Sequence, residues 1–364
     1  MSRPLRIDID LSALRANVQR VRTLAPGCKI LAMVKANAYG HGLIPIAYTL
    51  ADQVEGLGVA CLEEAKLLRQ AGIQQKIVLM EGFFSQEELR SVSELELDTV
   101  IHTAQQFRTI LQGPVSKPLS LWLKINTGMN RLGFAPELVS EIWSNLTACS
   151  WVQTLYLMTH FSSADLLDKT TTLDQMQYFI SSTHRLNAQR SCANSAAIIA
   201  WPQTHADWVR PGLILYGVSP FAKTLAQDYQ LKPVMTIRSK IITIIQVRAG
   251  DCIGYGATWT APSDQRVGIV AIGYGDGYPY TVQQGAKVLL NDQHVPLLGT
   301  VSMDMIAIDL KTQPQAKVGD SVILWGKGLP IETVAQATQR STYELLCGIN
   351  RGQLIRTYIK ETSR

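Results

Sequence analysis

The chain has 364 residues, of which 46% are hydrophobic and 17% are charged, and its formal net charge is +5. This length allows two domains with a substantial core, and the hydrophobic fraction excludes a disordered chain. The small net charge, without a lysine- or arginine-rich block, argues against nucleic-acid binding. No apolar run reaches the ~18 residues of a membrane span, and the first ten residues lack the apolar core of a secretory signal.

The six cysteines, at positions 28, 61, 149, 192, 252 and 347, show no paired spacing. We therefore expect reduced thiols in a cytoplasmic protein rather than a disulfide framework. The same lack of pairing gives no zinc-ligand pattern, so no metal site is expected.

Strand and helix patterns alternate over the first two thirds of the chain. Residues 7–10 alternate apolar and acidic side chains, and Leu11, Leu14, Val18 and Val21 lie on one face of a following helix. Further strands are predicted at 29–34, 55–60, 77–80, 99–101, 119–125 and 155–158, and helices at 137–146 and 174–187. Repeated strand–helix units indicate a parallel sheet with crossover helices.

About eight such units fit before residue 230, which favours a (β/α)8 TIM-like barrel. After residue 232 the pattern changes to short alternating strands separated by glycine and aspartate, with one late helix at 331–338. These strands are predicted at 236–247, 266–272, 287–290, 305–310 and 321–324. The predicted fold is α/β plus all-β: a barrel domain over residues 1–231, then a β-strand-rich domain over 232–364.

The most informative segment is residues 33–42, in which an apolar strand ends at Lys35 and is followed by Tyr39, Gly40 and Gly42. A lysine at the end of a buried strand costs desolvation energy unless its amine has a partner. Forming a Schiff base with pyridoxal phosphate (PLP) would use such an amine. The nearby hydroxyl and glycines suit a phosphate held close to the backbone. The pattern alone leaves a solvated surface lysine as the alternative.

This segment resembles the PLP-lysine signature of the alanine racemase family, and seven further blocks follow in that family's order. The blocks are 125–134, 159–161, 192–195, 210–212, 254–259, 273–278 and 302–304. Because eight blocks in order across nearly the whole chain are highly specific, the chain is identified as a member of this family. Lys35, Arg131 and His160 each come at or just after a predicted strand, where barrel enzymes carry their catalytic groups.

The resemblance implies a racemase of L- and D-alanine that uses PLP as electron sink and two bases on opposite faces of the substrate. Lys35 matches the PLP-binding lysine and one base, and Tyr255 matches the other base. An ordinary tyrosine has a pKa of ~10. The family places His160 beside Tyr255, with Arg210 behind it, which would lower the tyrosine pKa. Without the resemblance, Tyr255 is a turn aromatic and His160 a core histidine.

Arg210 matches the residue that contacts the pyridine nitrogen of PLP. Because arginine stays protonated, that nitrogen should remain unprotonated. The ring is then a weaker electron sink with a short-lived carbanion, which limits side reactions such as transamination. On its own, Arg210 would be interpreted as a structural arginine in a salt bridge.

Contacts to the PLP phosphate carry over to Tyr39, Ser195 and the backbone of Gly212 and Leu213, and Asn194 belongs to the same cofactor-binding set. Hydroxyls and main-chain N–H groups suit a dianion, especially at a helix N-terminus. Taken alone, residues 194–195 are only a helix cap.

Arg131 matches the residue that contacts the PLP phenolic oxygen and the substrate carboxylate. Lys124 matches a lysine that is carbamylated in relatives, which would place an anion beside Arg131; the alternative is an unmodified lysine that pairs with an acid. Met303 and Asp304 match the loop that closes the substrate site, and Tyr274 matches a tyrosine of the entry corridor.

In the family, the residues matching Tyr255, Tyr274 and Met303 come from the partner subunit. The resemblance therefore implies a homodimer with shared active sites and an inactive monomer. The chain departs from its relatives at Tyr280, where many have arginine, and at Arg351, where some have a phosphate-contacting tyrosine. These differences bear on substrate breadth and cofactor affinity and leave both bases intact; Tyr343 is a further residue for the corridor.

Two other functions stay open at this point. One is an enzyme of the same fold for another amino acid, such as serine or lysine racemisation, or a decarboxylase. Tyr255 argues against a decarboxylase, which needs no base on the opposite face. The other is a non-catalytic PLP-binding protein of cofactor homeostasis, which would lack the second domain with Tyr255 and Met303. The pattern does not separate supply of D-alanine for peptidoglycan from its catabolism.

Overall fold

The structure is a computed structural model that describes residues 3–113, 115–349 and 355–360. Eight parallel strands form a closed barrel, and the remaining strands form a mainly antiparallel sheet and a small hairpin. This confirms the predicted TIM-like barrel followed by a strand-rich part. The exact division of the chain at residues 231 and 232 stays a prediction.

The first strand, β1 (Arg6–Asp10), lies outside the barrel although it precedes it in the chain. It pairs antiparallel with the strand Met235–Val247 and parallel with the strand Ile355–Ile359. Its alternation buries Ile7 and Ile9 and leaves the residues between them half-buried. The alternating sequence predicts a strand but not its partners, so this pairing with the second sheet is new information from the structure.

Asp10 links this strand to the first helix, Leu11–Leu24, as its N-cap. Its Oδ1 accepts hydrogen bonds from the N–H groups of Ser12 and Ala13 at 3.0 and 2.9 Å. We expect Asp10→Ala to lower the free energy of unfolding by about 1 kcal/mol. Asp10→Asn keeps an accepting oxygen and should stay near the wild-type value in urea denaturation. Equal losses in both variants would contradict the capping role.

The barrel strands follow one another in sequence order, and the last pairs with the first between Lys29 and Trp208. They are β2 (Lys29–Met33), β3 (Gly56–Val59), β4 (Lys76–Leu79), β5 (Asp98–Ile101), β6 (Leu119–Lys124), β7 (Val152–Met158), β8 (Arg190–Ser191) and β9 (Trp208–Val209). Most of their residues are buried, because helices cover the outside and side chains fill the inside.

The α-helices of the barrel pack outside the strands. After Leu11–Leu24 they are Leu43–Leu50, Leu62–Gln70, Gln86–Glu94, Ala104–Leu111, Val139–Thr147, Thr171–Thr183 and Ser195–Ala200. In the described part of the chain, no helix has the length and apolar character needed to cross a bilayer.

The strands after the barrel are β10 (Met235–Val247), β11 (Cys252–Ile253), β12 (Trp259–Thr260), β13 (Gln265–Val270), β14 (Lys287–Leu290), β15 (Gln293–Leu298), β16 (Ile306–Asp309), β17 (Ser321–Trp325) and β18 (Ile355–Ile359). Strands β11 and β12 form the hairpin, and the second sheet runs in the order β13–β16–β15–β14–β17–β10–β1–β18. The helix Ile331–Thr338 has the predicted bounds, and a second helix, Thr342–Gly348, was not predicted. One hydrophobic cluster runs from the barrel into this sheet.

Candidate active site

A cavity of about 460 Å³ opens at the carboxyl ends of the barrel strands. Lys35 comes two residues after β2, Lys124 ends β6, His160 comes two residues after β7, and Arg210 directly follows β9. Because all strands of a parallel barrel end at the same rim, four distant parts of the chain meet in one cavity.

Nine of the residues singled out from the sequence line this cavity: Lys35, Tyr39, Lys124, Arg131, His160, Asn194, Ser195, Arg210 and Gly212. Leu213 is buried next to Gly212 and does not line it. Tyr343, singled out for the corridor, is also a lining residue. The lining residues that sequence reasoning missed are Met33, Ala36, Met80, Glu81, Leu132 and Cys347. Met33, Ala36 and Leu132 lie within the blocks 33–42 and 125–134 but were not singled out there. Met80, Glu81 and Cys347 lie in no block, and they reach the cavity only through the folding of the barrel and the late helix Thr342–Gly348.

The remaining four singled-out residues lie outside the cavity of their own chain. Tyr255 is 73% exposed, Met303 is 51% exposed and Tyr274 is 40% exposed. Asp304 lies on the same loop as Met303 and is partly exposed. Among the described residues, the structure therefore separates the two proposed bases, Lys35 and Tyr255, within one copy of the chain.

The backbone directly after Lys35 forms a left-handed turn. Ala36, Asn37, Ala38 and Tyr39 have φ angles of 53, 54, 53 and 51°. A left-handed turn of L-residues costs about 1–2 kcal/mol per residue. The surrounding structure must supply this energy, and strain of this kind is concentrated at functional sites. The turn places both Lys35 and Tyr39 on the wall of the cavity.

Hydrogen bonds from outside the turn hold it. Asn37 donates its N–H to Glu64 Oε1 at 3.1 Å, and its own Oδ1 accepts from the N–H of Leu43 at 2.8 Å. His41 Nδ1 lies 3.0 and 2.9 Å from the carbonyl oxygens of Ala38 and Tyr39. Since a carbonyl oxygen only accepts, Nδ1 carries the proton. Burial lowers the pKa of His41 to about 4, so this histidine stays neutral at physiological pH.

One side of the cavity brings together the hydroxyls of Tyr39 and Ser195 and the backbone of Gly212. Gly212 donates its N–H to Ser195 Oγ at 2.9 Å. A Cβ at Gly212 would lie 2.5 Å from Tyr39 Oη, so a side chain there would displace the phenol. Tyr39 in turn stacks on Tyr216, with ring centroids 4.8 Å apart. The Tyr39 and Ser195 hydroxyls and the Gly212 backbone thus form a cluster of hydrogen-bonding groups. Because Gly212 has no side chain, a ligand can come close to the backbone there.

Arg210 is buried and held by several acceptors. Nη1 donates to Ser191 Oγ at 2.7 Å, and Nη2 donates to the carbonyl oxygens of Thr159 and Cys192 at 2.5 and 3.1 Å. Nη2 also lies 3.3 Å from His160 Nδ1. Burial lowers the pKa of Arg210 to about 10, which still leaves it protonated at neutral pH. The guanidinium is therefore a fixed positive charge at the cavity wall.

The cavity concentrates positive charge. Lys35, Lys124, Arg131 and Arg210 line it, and Glu81 is the sole acid among the described lining residues. Burial, followed by the charges of Arg210, Arg131 and Lys35, lowers the pKa of Lys124 to about 8. A cavity with four basic side chains and one carboxylate suits an anionic ligand, because that ligand would compensate the repulsion.

Of the two departures from the family pattern, Tyr280 does not line this cavity. Tyr280 is 57% exposed and packs edge-on against Tyr274, with ring centroids 5.6 Å apart. Arg351 lies outside the described residues.

Comparison with known proteins gives one consistent match. The family model "Alanine racemase, N-terminal domain" matches residues 9–220, and "Alanine racemase, C-terminal domain" matches residues 234–358. The alanine racemase of Aeromonas hydrophila is 47% identical over 339 residues, which covers 93% of this chain and 95% of that protein. A protein of Escherichia coli named "Alanine racemase, biosynthetic" is 46% identical over 340 residues, which covers 93% of this chain and 94% of that protein. The structure of the biosynthetic alanine racemase of Pseudomonas aeruginosa matches with a TM-score of 0.95 at 41% identity, over 99% of this chain and 100% of that one.

Proposed function

This chain belongs to the alanine racemase family, and we propose that it interconverts L- and D-alanine (EC 5.1.1.1) with PLP as cofactor and with Lys35 and Tyr255 as the two bases. The observation that carries this assignment is the cavity at the strand ends, where Lys35, His160 and Arg210 meet. The relatives matched are named alanine racemases, which does not favour the serine, lysine, decarboxylase or homeostasis alternatives.

The residues present fit PLP. The phosphate would be held by the hydroxyls of Tyr39 and Ser195 and by the N–H groups of Gly212 and Leu213, with Asn194 beside them. All of these residues except Leu213 line the cavity. The Gly212 N–H, which donates to Ser195 Oγ, would be shared with the phosphate. The excess of basic side chains suits the phosphate and a substrate carboxylate together. When bound, PLP supplies an electron sink that makes the α-proton of an amino acid removable.

Lys35 and Tyr255 would move the proton on opposite faces of the α-carbon. In one direction Lys35 Nζ takes the proton and Tyr255 Oη returns one to the other face, and the roles exchange in the reverse direction. This reversal accounts for the use of both enantiomers. Both groups then need an environment that makes them bases at neutral pH.

His160 would assist Tyr255 of the second copy. Burial, followed by the charge of Arg210, lowers the pKa of His160 well below its ordinary value, so the ring is neutral. Arg210 only donates, so His160 Nδ1 accepts at 3.3 Å and Nε2 carries the proton. An Nε2–H at the cavity wall can donate to a tyrosinate oxygen and so favour the deprotonated form of Tyr255.

Arg210 and Arg131 would both supply positive charge, with different tasks. Arg210 donates hydrogen bonds to the barrel through both Nη atoms and keeps its proton at neutral pH, so a ring nitrogen facing it would stay unprotonated. Arg131 is exposed at the cavity and is free to contact the cofactor phenolic oxygen and the substrate carboxylate. A guanidinium can bind a carboxylate through two parallel hydrogen bonds.

Lys124 is suited to carbamylation, because carbon dioxide adds only to the unprotonated amine. With a pKa of about 8, Lys124 offers far more free amine near neutral pH than an ordinary lysine. We expect a carbamate resonance in the 13C NMR spectrum of protein equilibrated with 13C-bicarbonate. The signal should grow as the pH rises through about 8. It should vanish in Lys124→Met and persist in Lys35→Ala; a signal unaffected by Lys124→Met would contradict the assignment.

The active unit would be a homodimer with shared active sites. Tyr255, Tyr274 and Met303 are exposed, and neither they nor Asp304 line the cavity of their own chain. A base must reach the substrate, so a second copy would have to bring Tyr255 to the cavity that contains Lys35. Met303 would then bind the substrate carboxylate through its N–H, and Tyr274 would line the entrance.

We place the enzyme in the cytoplasm, in line with its six free cysteines. Its product D-alanine would serve peptidoglycan synthesis, or the same reaction would serve D-alanine catabolism.

The function is tested by the circular dichroism of L-alanine or L-serine incubated with PLP-saturated protein. The signal of L-alanine should decay to zero much faster than that of L-serine. No decay with bound PLP would overturn the proposal.

A further inference from the structure

We propose that Arg3 is a positioning residue that fixes the two loops carrying Tyr274 and Met303, and so sets how they close the partner's cavity. This proposal rests on the proposed function and on the shared active site. It assigns a role in substrate binding to the beginning of the chain, which lies outside the barrel and its cavity.

The two loops, residues 273–277 and 302–305, are joined backbone to backbone. Tyr274 donates its N–H to the carbonyl of Ser302 at 3.1 Å, and Gly275 donates to the carbonyl of Met303 at 2.8 Å. A Cβ at Gly273 would lie 2.2 Å from the Ser302 carbonyl oxygen, so no larger residue fits between the loops. Any shift of one loop therefore moves the other.

Arg3 connects these loops through one guanidinium. Nη2 donates to Asp276 Oδ2 and to the carbonyl oxygen of Asp304, both at 2.6 Å, and Nη1 lies 4.0 Å from Asp304 Oδ1. The Asp276 side chain is only 2% exposed, and its Oδ2 also accepts the N–H of Gly273 at 3.0 Å. A hydrogen bond to a buried carboxylate is stronger and better oriented than a surface ion pair.

The position of Arg3 is itself fixed. It lies three residues before β1, which is paired on both sides by β10 and β18. Nη2 uses its two N–H groups for the two contacts, one to the Asp276 carboxylate and one to the Asp304 carbonyl. The pairing of β1 with the second sheet thus brings Arg3 to both loops, next to Tyr274 and Met303.

Removing this contact should act on substrate binding. Met303 and Tyr274 would approach substrate, whereas the cofactor would be held by residues of the barrel. We expect Arg3→Ala to raise KM for alanine by about tenfold, since small misplacements of positioning groups cost this much or more. The value of kcat should change less, and the visible absorbance of bound PLP should be unchanged. Arg15→Ala is the matched control, because it removes an exposed ion pair with Asp52 at 3.6 Å.

A hybrid dimer separates action on the partner's site from simple destabilisation. Arg3→Ala and Lys35→Ala chains with different affinity tags are mixed, and the hybrid is isolated. Its functional cavity has Lys35 from the first chain and loops with intact Arg3 from the second. We expect a wild-type KM for alanine in this hybrid and a raised KM in the Arg3→Ala homodimer.

The outcomes are distinct. A raised KM in the hybrid would place the effect of Arg3 in its own chain. An unchanged KM in the Arg3→Ala homodimer would show that Arg3 has no positioning role. Either result overturns the inference but leaves the proposed racemase function unaffected. A wild-type protein that does not racemise alanine would overturn the proposed function itself.

Discussion

Lys35→Ala is expected to reduce the rate of alanine racemisation by roughly 10³-fold or more, because it removes a base and the covalent attachment of the cofactor together. Racemisation is followed by the circular dichroism of L-alanine. After borohydride reduction of the wild type, mass spectrometry should find the cofactor on the peptide containing Lys35. The variant should show no such adduct. This tests the central residue of the cavity at the end of β2.

Lys29→Ala is the matched control for this variant. Lys29 begins the same strand, and its Nζ lies 3.3 Å from Gln189 Oε1 at the opposite end of the barrel. We expect this variant to keep both the cofactor adduct and the racemisation rate. A Lys35→Ala variant that retains PLP and racemises as fast as Lys29→Ala would contradict the assignment of Lys35.

Tyr255→Phe is expected to slow racemisation by roughly 10³-fold, as loss of a general base does. The remaining base can still act on one face of the substrate. In deuterated water one enantiomer should therefore exchange its α-proton without inversion, while the other should not. Both rates are measured by 1H NMR with each enantiomer in turn.

The control for Tyr255→Phe is Tyr178→Phe, since Tyr178 is an exposed tyrosine of the barrel helix Thr171–Thr183 with no assigned role in the site. It should racemise near the wild-type rate. If Tyr255→Phe matched this control, or if α-proton exchange were lost for both enantiomers, Tyr255 would not be a base on one face only.

The sequence is sufficient to predict the barrel and most of the cavity. Strand–helix alternation has a regular length, and barrel geometry then brings the ends of β2, β6, β7 and β9 to one rim. Lys35, Arg131 and His160 were predicted at or just after strands, whereas Lys124 and Arg210 were singled out only through the resemblance to the alanine racemase family. The late helix Thr342–Gly348 and the lining residue Glu81 were missed, because neither is marked by a periodic pattern or a motif.

Two features depend on contacts that no local pattern reveals. Residues 7–10 alternate like any strand, but the pairing of β1 with β10 and β18 joins segments more than 200 positions apart. The left-handed turn at residues 36–39 runs against the local preference of alanine. It is held by Glu64 and His41, so only the folded structure shows it.

The separation of Lys35 and Tyr255 within one chain makes the shared site the central claim. The most direct test is a hybrid dimer of Lys35→Ala and Tyr255→Phe chains, isolated with two affinity tags. Both parent homodimers should be nearly inactive. The hybrid should recover about half of the wild-type activity, because one of its two sites combines an intact Lys35 with an intact Tyr255 from the other chain. A hybrid as inactive as its parents would show that both bases act from the same chain.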